Sequence, residues 1–186
     1  MKVSGEFNKD SNLKEWRMDM FRTMDDFYQV WKEEATGTQQ VLDSLTDESL
    51  QKNFTEGHRN LGRLAWHIAT TLEEMVSHTG LQFSGADFSK PVPDTAAEIA
   101  EAYRFTNQSM ITAMKDNWTD ETLQEEHDLY GEKWTVAELL KVLVLHQVHH
   151  RAQMTVLMRQ AGLKVPGLYG PAKEEWAAMG AEPPAV

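Results

Sequence analysis

The sequence of 186 residues contains no cysteine. Disulfides, iron–sulfur clusters held by thiolates and a thiol nucleophile supplied by the chain are therefore excluded. A metal site in this protein has to be built from imidazole, carboxylate or water ligands. The seven histidines and the 29 acidic residues are consequently the side chains with which a search for such a site begins.

Basic residues are also scarce. The chain has 18 lysines and arginines against its 29 acidic residues, which gives a formal net charge of −11. Such a surface repels phosphate backbones and anionic membranes, and no block of basic residues offsets this repulsion locally. We therefore expect neither nucleic acid nor a membrane as partner, and the small-molecule substrate that we also expect follows from the site described below.

Long hydrophobic runs are missing as well. No stretch approaches the length of a membrane span, and residues 1–16 lack the apolar centre of a signal peptide. A cytoplasmic protein is the expectation. The length fits one domain over residues 1–186, with a core of about 13–162 and a tail over 163–186.

Four long segments carry apolar residues at helical spacing, together with residue types that begin or end helices. Thr135 and Glu138 form a capping box, Gly80 and Gly162 are stop signals, and Gly37 predicts a kink in the first segment. This pattern predicts an all-α four-helix bundle with irregular connectors and a C-terminal surface tail. The predicted long helices are 13–45, Asn60 to Thr79, Ala96 to Trp118, and Thr135 to Gly162.

The sequence also predicts the local structure of the connectors and of the tail. Thr46 and Thr119 each resemble the cap of a short helical turn, and residues 125–135 predict either a short hairpin or an irregular lid. The tail, 163–186, is rich in proline and glycine and is expected to lie on the surface. Only the part around residues 173–179 is expected to be helical.

Two histidines of the fourth helix, His146 and His150, lie one turn apart on a face turned toward other helices. At helical geometry they are about 6 Å apart along the axis and about 40° apart around it, so one metal ion can reach both. Two core histidines with separate hydrogen-bond partners fit the same spacing. The pair alone leaves both interpretations open.

A third histidine, His67, falls in the middle of the apolar stripe of the second helix. Glu74 and His78 return to nearly the same angular position, although a solvated place near the helix end suits both. A bundle core can bring His67 opposite His146 and His150. Three imidazoles on one ion leave a coordination position open, as in catalytic rather than structural sites.

These motifs resemble the DinB-like (damage-inducible) family of metalloenzymes, which includes bacterial thiol-dependent S-transferases. The resemblance lies in W-H-I-A around His67, in H-x3-H-R-x-Q from His146 to Gln153, and in the run from Leu157 to Pro171, which Met158 interrupts. It implies one divalent ion on His67, His146 and His150, with zinc or nickel first and iron or manganese next. A homodimer is a further expectation from the family.

The resemblance implies a divalent-metal-dependent transferase that acts with a low-molecular-weight thiol on a small electrophile. A metal-dependent hydrolase fits the same ligands, and so does a metal-binding or ligand-binding module without turnover. Glu74 is the candidate general base, and Gln153 is the candidate for orienting water or substrate. His149 is expected to be a core residue or a support for the ligands, and Arg151 to tie the helix to a neighbour or to the tail.

Overall fold

The computed structural model describes residues 20–54 and 56–185. Four long helices carry most of the packing, and two short helical turns, one hairpin and a C-terminal tail join or cover them. The helices are α1 (Met24–Asp43), α2 (Asp47–Leu50), α3 (Leu61–Ser77), α4 (Ala96–Asn117) and α5 (Val136–Gln160). The strands are β1 (Glu126–Leu129) and β2 (Glu132–Thr135), and 3-10 turns span Asp120–Gln124, Lys173–Glu175 and Ala177–Met179.

The first helix begins later than its apolar pattern predicts. Thr23 accepts a hydrogen bond from the backbone N–H of Asp26, and the Asp26 carboxylate accepts one from the N–H of Thr23, which fixes the start of α1 at Met24. The predicted start at residue 13 is therefore wrong for residues 20–23, which are not helical, while 13–19 lie outside the described residues. The helix also ends at Asp43, two residues before the predicted end.

Gly37 does not interrupt α1, which continues unbroken past it. A Cβ atom at this position would lie 3.1 Å from Nη1 of Arg151 and 3.2 Å from Cδ2 of Leu168. The glycine therefore allows α5 and the tail to approach the backbone of α1 closely. Its presence reflects tertiary packing, which the spacing of apolar residues along one helix does not report.

The other long helices begin at the predicted caps. Asn60 accepts a hydrogen bond from the N–H of Arg63 at the start of α3, and Thr95 does the same for Glu98 at the start of α4. Thr135 and Glu138 form the predicted capping box of α5. These caps satisfy backbone N–H groups in the first turn and so fix the residue at which each helix begins.

The four long helices form a bundle in which chain neighbours are not always neighbours in space. Both α1 and α3 pack chiefly against α4 and α5, so α1 and α3 occupy opposite corners. The predicted four-helix bundle is confirmed. Fully buried side chains from all four helices fill its centre, among them Phe27, Trp31, Leu72, Met110 and Leu143.

Residues 126–135 form a hairpin, which settles the choice between a hairpin and an irregular lid. Strands β1 and β2 pair antiparallel, with Leu129 opposite Glu132. Tyr130 and Gly131 make the two-residue turn, and both have positive φ angles, 52° and 87°. This small sheet is the one departure from an all-α fold among the described residues.

The tail lies on the surface, as predicted, and a hydrogen-bond network of Arg151, Tyr169 and Glu34 holds it there. Arg151, which is only 2% exposed, donates to the backbone oxygen of Glu34 at 2.7 Å and to Tyr169 of the tail. Tyr169 also donates to the Glu34 carboxylate. Arg151 thus joins α5 to α1 and to the tail, in agreement with the sequence-based expectation. In the described part of the chain, no helix is long and apolar enough to cross a membrane.

Candidate metal centre

Three imidazole rings from two helices meet inside the bundle. His67 lies about two turns into α3, and His146 and His150 lie one turn apart in the middle of α5. Because α3 packs against α5, the predicted face of each helix turns toward the other. Nε2 of His146 lies 3.2 Å from Nε2 of His67 and 3.1 Å from Nε2 of His150.

This separation suits one small cation. Each of the three histidines offers one ring nitrogen atom, and these three atoms all lie within 4.8 Å of one another. Zinc–imidazole distances of about 2.0–2.1 Å in a tetrahedron require nitrogen atoms about 3.3 Å apart. The two closest pairs are within a few tenths of an ångström of that spacing.

The hydrogen bonds at Nδ1 of His150 and His67 leave the Nε2 lone pairs of these two rings facing Nε2 of His146. The Nδ1–H of His150 donates to Oε1 of Gln153 at 2.8 Å, so its Nε2 carries a lone pair. Nδ1 of His67 has a weaker partner, the hydroxyl of Thr71 at 3.4 Å. A single proton on Nε2 of His146 can satisfy one of the two facing lone pairs, whereas a cation at the centre satisfies all three. The residues therefore fit a bound metal ion.

Burial and like charge keep the cluster neutral. Burial, followed by the charge of the neighbouring Arg59 guanidinium, lowers the pKa of His67 to about 3. Burial, followed by the rings of His150 and His149, lowers the pKa of His146 to about 4. The pKa of His150 is also lowered, mainly by burial, although its hydrogen bond to Gln153 opposes the shift. Neutral rings at pH 7 have their lone pairs available for a metal.

Gln153 and His149 contact the ring of His150 without belonging to the cluster of three histidines. The Gln153 amide accepts from His150 and donates to Nε2 of His149 at 3.1 Å. His149 is exposed, so the expectation of a core residue is wrong, and its ring packs against that of His150 with centroids 4.9 Å apart. His149 is not part of the group of ring nitrogen atoms that could hold an ion.

Two clefts reach the histidines from the surface, and Arg59 lines both. The first, of about 450 Å³, contains His67 and His146 and has Arg63 in its wall. The second, of about 590 Å³, contains His150 and Gln153. Small molecules therefore have space beside the rings. The first cleft is further lined by Thr70, Thr71, Glu74, Met75, Phe88, Tyr130 and Val142.

Glu74 lines the first cleft but does not contact the histidine cluster directly. The Tyr130 hydroxyl shares its single proton between the two carboxylate oxygens in a bifurcated pair of hydrogen bonds, 2.9 and 3.0 Å long. Burial and the Glu74 carboxylate raise the pKa of Tyr130, so the phenol remains a donor. His78 is exposed at the end of α3 and packs its ring 5.4 Å from that of Tyr130, in agreement with a position near the rim.

Sequence reasoning missed three residues of the first cleft, namely Arg59, Arg63 and Tyr130. Arg63 lies four residues before His67, a spacing that places both on one helix face and could have indicated it. Arg59 precedes the helix and Tyr130 lies at a hairpin turn, so helical periodicity gives no signal for either. Their contributions depend on how the chain folds around α3.

Four long helices around three converging imidazoles define a helical-bundle protein with a candidate site for one metal ion. A model of the DinB family matches residues 20–184, and the chain belongs to that family. It is similar to YrdA of Bacillus subtilis, with 48% identity over 89% of this chain and 99% of the relative. The crystal structure of a DinB-like protein from Bacillus cereus superposes with a TM-score of 0.78 at 47% identity, covering 81% of this chain and 100% of that chain.

A more distant relative is OB0413 of Oceanobacillus iheyensis, which is 24% identical over 73% of this chain and 87% of its own length. Its name assigns it provisionally to the metal-dependent hydrolases. Together with the histidine cluster, this relative points to a metal ion as cofactor.

Proposed function

We propose that this protein is an enzyme in which His67, His146 and His150 bind one divalent metal ion that activates a nucleophile for attack on a small electrophile. The observation that carries the proposal is the convergence of three Nε2 atoms from two helices. A divalent ion held by neutral imidazoles lowers the pKa of a bound water or thiol and polarises a carbonyl or similar group. Zinc and nickel are the first candidates, followed by iron and manganese.

The residues around the three histidines have separate roles in the proposed reaction. Gln153 holds the tautomer of His150 that directs Nε2 inward, and Thr71 does the same less tightly for His67. The first cleft admits the electrophile beside His67 and His146. Three protein ligands leave a coordination position for the nucleophile, which is the arrangement of catalytic sites.

Water is one candidate nucleophile, which would make the protein a hydrolase. OB0413 supports this version through its name, and Glu74 supplies a carboxylate in the same cleft as two of the histidines. A general base normally contributes about 10²–10⁴-fold to the rate of such a reaction. Glu74 would accept the proton of the water while Tyr130 holds its carboxylate in place.

A low-molecular-weight thiol is the second candidate, which would make the protein an S-transferase. A thiol has an ordinary pKa of about 8.5, so a metal ion can deprotonate it without a protein base. Glu74 is the only carboxylate that lines either cleft in the described part of the chain, and it does not contact the histidine cluster directly. A nucleophile that needs no base does not depend on how far Glu74 lies from the metal site.

Metal content tests the first half of the proposal. Protein purified without chelators should contain about one equivalent of a divalent metal by elemental analysis, and His150→Ala should contain almost none while keeping its helical circular dichroism. His78→Ala is the matched control because His78 is an exposed histidine at the end of α3. Equal metal content in wild type and His150→Ala would overturn the ligand assignment.

Turnover tests the second half. Metal-loaded protein is offered p-nitrophenyl esters alone, and separately a chloronitroaromatic electrophile with cysteine as the thiol. Metal-dependent ester cleavage supports the hydrolase, and metal-dependent thioether formation supports the transferase. If the protein is fully loaded with metal but has no activity toward broad panels of esters or of electrophiles offered with a thiol, that result would favour a binding module instead.

A further inference from the structure

Two arginines stand beside the histidine cluster. Arg63 lies four residues before His67 on α3, which places their Cβ atoms about 5–6 Å apart on one helix face. Arg59 lines both clefts and is close enough to lower the pKa values of all three histidines. A ligand in the first cleft would lie near both guanidinium groups.

These arginines have no evident structural task. Within residues 20–54 and 56–185, neither guanidinium forms an ion pair or donates a hydrogen bond to a side chain. Both side chains are exposed, in contrast to Arg151, whose buried guanidinium donates four hydrogen bonds to Glu34, Thr38 and Tyr169. The positive charges are therefore available to a ligand.

The two arginines also lie at the N-terminus of a helix, where basic residues are normally disfavoured. The N-terminus of a helix carries partial positive charge, so acidic residues are favoured there and basic residues are not. The first turn of α3 contains no acidic residue and does contain Arg63, with Arg59 just before the cap. A negatively charged group placed there would be attracted by the guanidinium groups and by the helix end together.

The first cleft is lined by basic residues at one end and by an acidic residue at the other. Arg59 and Arg63 lie at the N-terminal end of α3, while Glu74 and Tyr130 lie about 16 Å further along the helix from Arg63. The whole chain has a net charge of −11, so two neighbouring arginines without an ion pair among the described residues give this end of the cleft a charge opposite to that of the chain as a whole. The arrangement would orient a ligand with its acidic group toward the arginines.

We propose that Arg59 and Arg63 form a binding subsite for an acidic group, a carboxylate or a phosphate, on the substrate that occupies the first cleft. The subsite rests on the proposed function, because it presumes a metal ion on His67, His146 and His150. It names the class of substrate: a small molecule whose reacting atom lies near the histidines and whose acidic group lies one helical turn away. The subsite is independent of whether water or a thiol is the nucleophile.

Cobalt-loaded protein and three hydroxamate probes test the subsite. Butyrohydroxamate is neutral beyond its metal-binding group, succinate monohydroxamate adds a carboxylate, and phosphonoacetohydroxamate adds a phosphonate. Titration followed by the visible absorption of cobalt gives a Kd for each probe. We expect at least one acidic probe to bind about 3- to 10-fold more tightly than butyrohydroxamate, a preference that weakens in high salt. The better acidic probe identifies the type of acid.

The double variant Arg59→Gln/Arg63→Gln should lose this preference while binding butyrohydroxamate within about twofold of wild type. The charge-matched control is Arg104→Gln/Arg159→Gln, which removes two exposed arginines outside both clefts and should keep the preference. Equal affinity of wild type for all three probes, or a preference that survives in the double variant, overturns the subsite alone. Failure of cobalt or of butyrohydroxamate to bind wild type overturns the proposed function and the subsite together.

Discussion

Gln153 accepts a hydrogen bond from Nδ1–H of His150 at 2.8 Å, and this contact determines which ring nitrogen of His150 faces the cluster. With the proton on Nδ1, Nε2 presents its lone pair to Nε2 of His146, 3.1 Å away. Gln153 therefore acts on the site through His150. The sequence-based expectation that Gln153 orients water or substrate remains a prediction, and the contact observed is with His150, a candidate metal ligand.

Replacing Gln153 by alanine should weaken metal binding without abolishing it. The imidazole of His150 would lose the partner that fixes its tautomer and rotation, and outer hydrogen bonds of this kind are worth about 10- to 100-fold in metal affinity. Competition with a chromogenic chelator measures the change. Gln108→Ala, at an exposed glutamine of α4, is the control and should bind metal like wild type. Unchanged affinity in Gln153→Ala would contradict the role given to this hydrogen bond.

Arg151→Met should destabilise the fold strongly. Arg151 is 2% exposed, and its loss would leave the Glu34 carboxylate, which lies 2.5 Å from Nη2, partly buried without its cation. Removing one partner of a buried ion pair costs about 3–5 kcal/mol. Urea unfolding of the metal-free protein measures the loss. Arg159→Met removes the exposed ion pair with Glu174 from the end of the same helix and should cost less than about 1 kcal/mol.

The helices could be predicted from the sequence because caps and apolar spacing are local rules, and the histidine cluster could be predicted once the resemblance to the DinB-like family joined His67 to the pair on α5. Caps such as Asn60 and Thr135 satisfy backbone groups that every helix leaves unpaired at its start, and they mark the beginning of α3 and α5 correctly. His67, His146 and His150 lie on apolar stripes, and stripes of this kind turn toward one another in a bundle. The spatial meeting of the three rings is confirmed by their distances.

The features that escaped prediction depend on contacts between segments far apart in the chain. The apolar residues before Met24 continue the helical spacing, but the Thr23 capping box begins the helix later. Gly37 resembles a helix interruption until Arg151 and Leu168 are placed against it. Arg59 resembles any exposed loop arginine, and its relation to the histidines appears only when the chain before α3 is folded beside α5.

The metal-free protein should lose stability as the pH falls below about 6.5. An unfolded histidine titrates near 6.5, whereas burial holds the pKa values of His67 and His146 at about 3 and 4 in the fold. Between these values the unfolded chain binds more protons than the folded one, so acid favours unfolding. We expect the two histidines to account for a decrease of about 5 °C in Tm between pH 7 and 4.5, after allowance for their partial exposure.

The double variant His67→Gln/His146→Gln isolates this contribution, because glutamine does not titrate and all other groups remain. Differential scanning calorimetry in the presence of a chelator should show a smaller decrease in Tm for the variant than for wild type. The comparison uses the change in Tm with pH, so a different Tm at pH 7 does not affect it. Equal decreases in both proteins would show that these histidines are not buried as neutral rings.

Glu74→Gln separates the two nucleophiles of the proposed function. If Glu74 is the base that accepts a proton from water, the variant should lose about 10²–10⁴-fold in kcat for ester cleavage while its metal content stays the same. Tyr130→Phe removes both hydrogen bonds to that carboxylate and should cause a smaller loss, because the base remains but is less well held. Glu73→Gln is the control, since the neighbouring glutamate lines neither cleft. A thiol that binds the metal needs no such base, so thioether formation that is unaffected by Glu74→Gln would assign the site to thiol transfer.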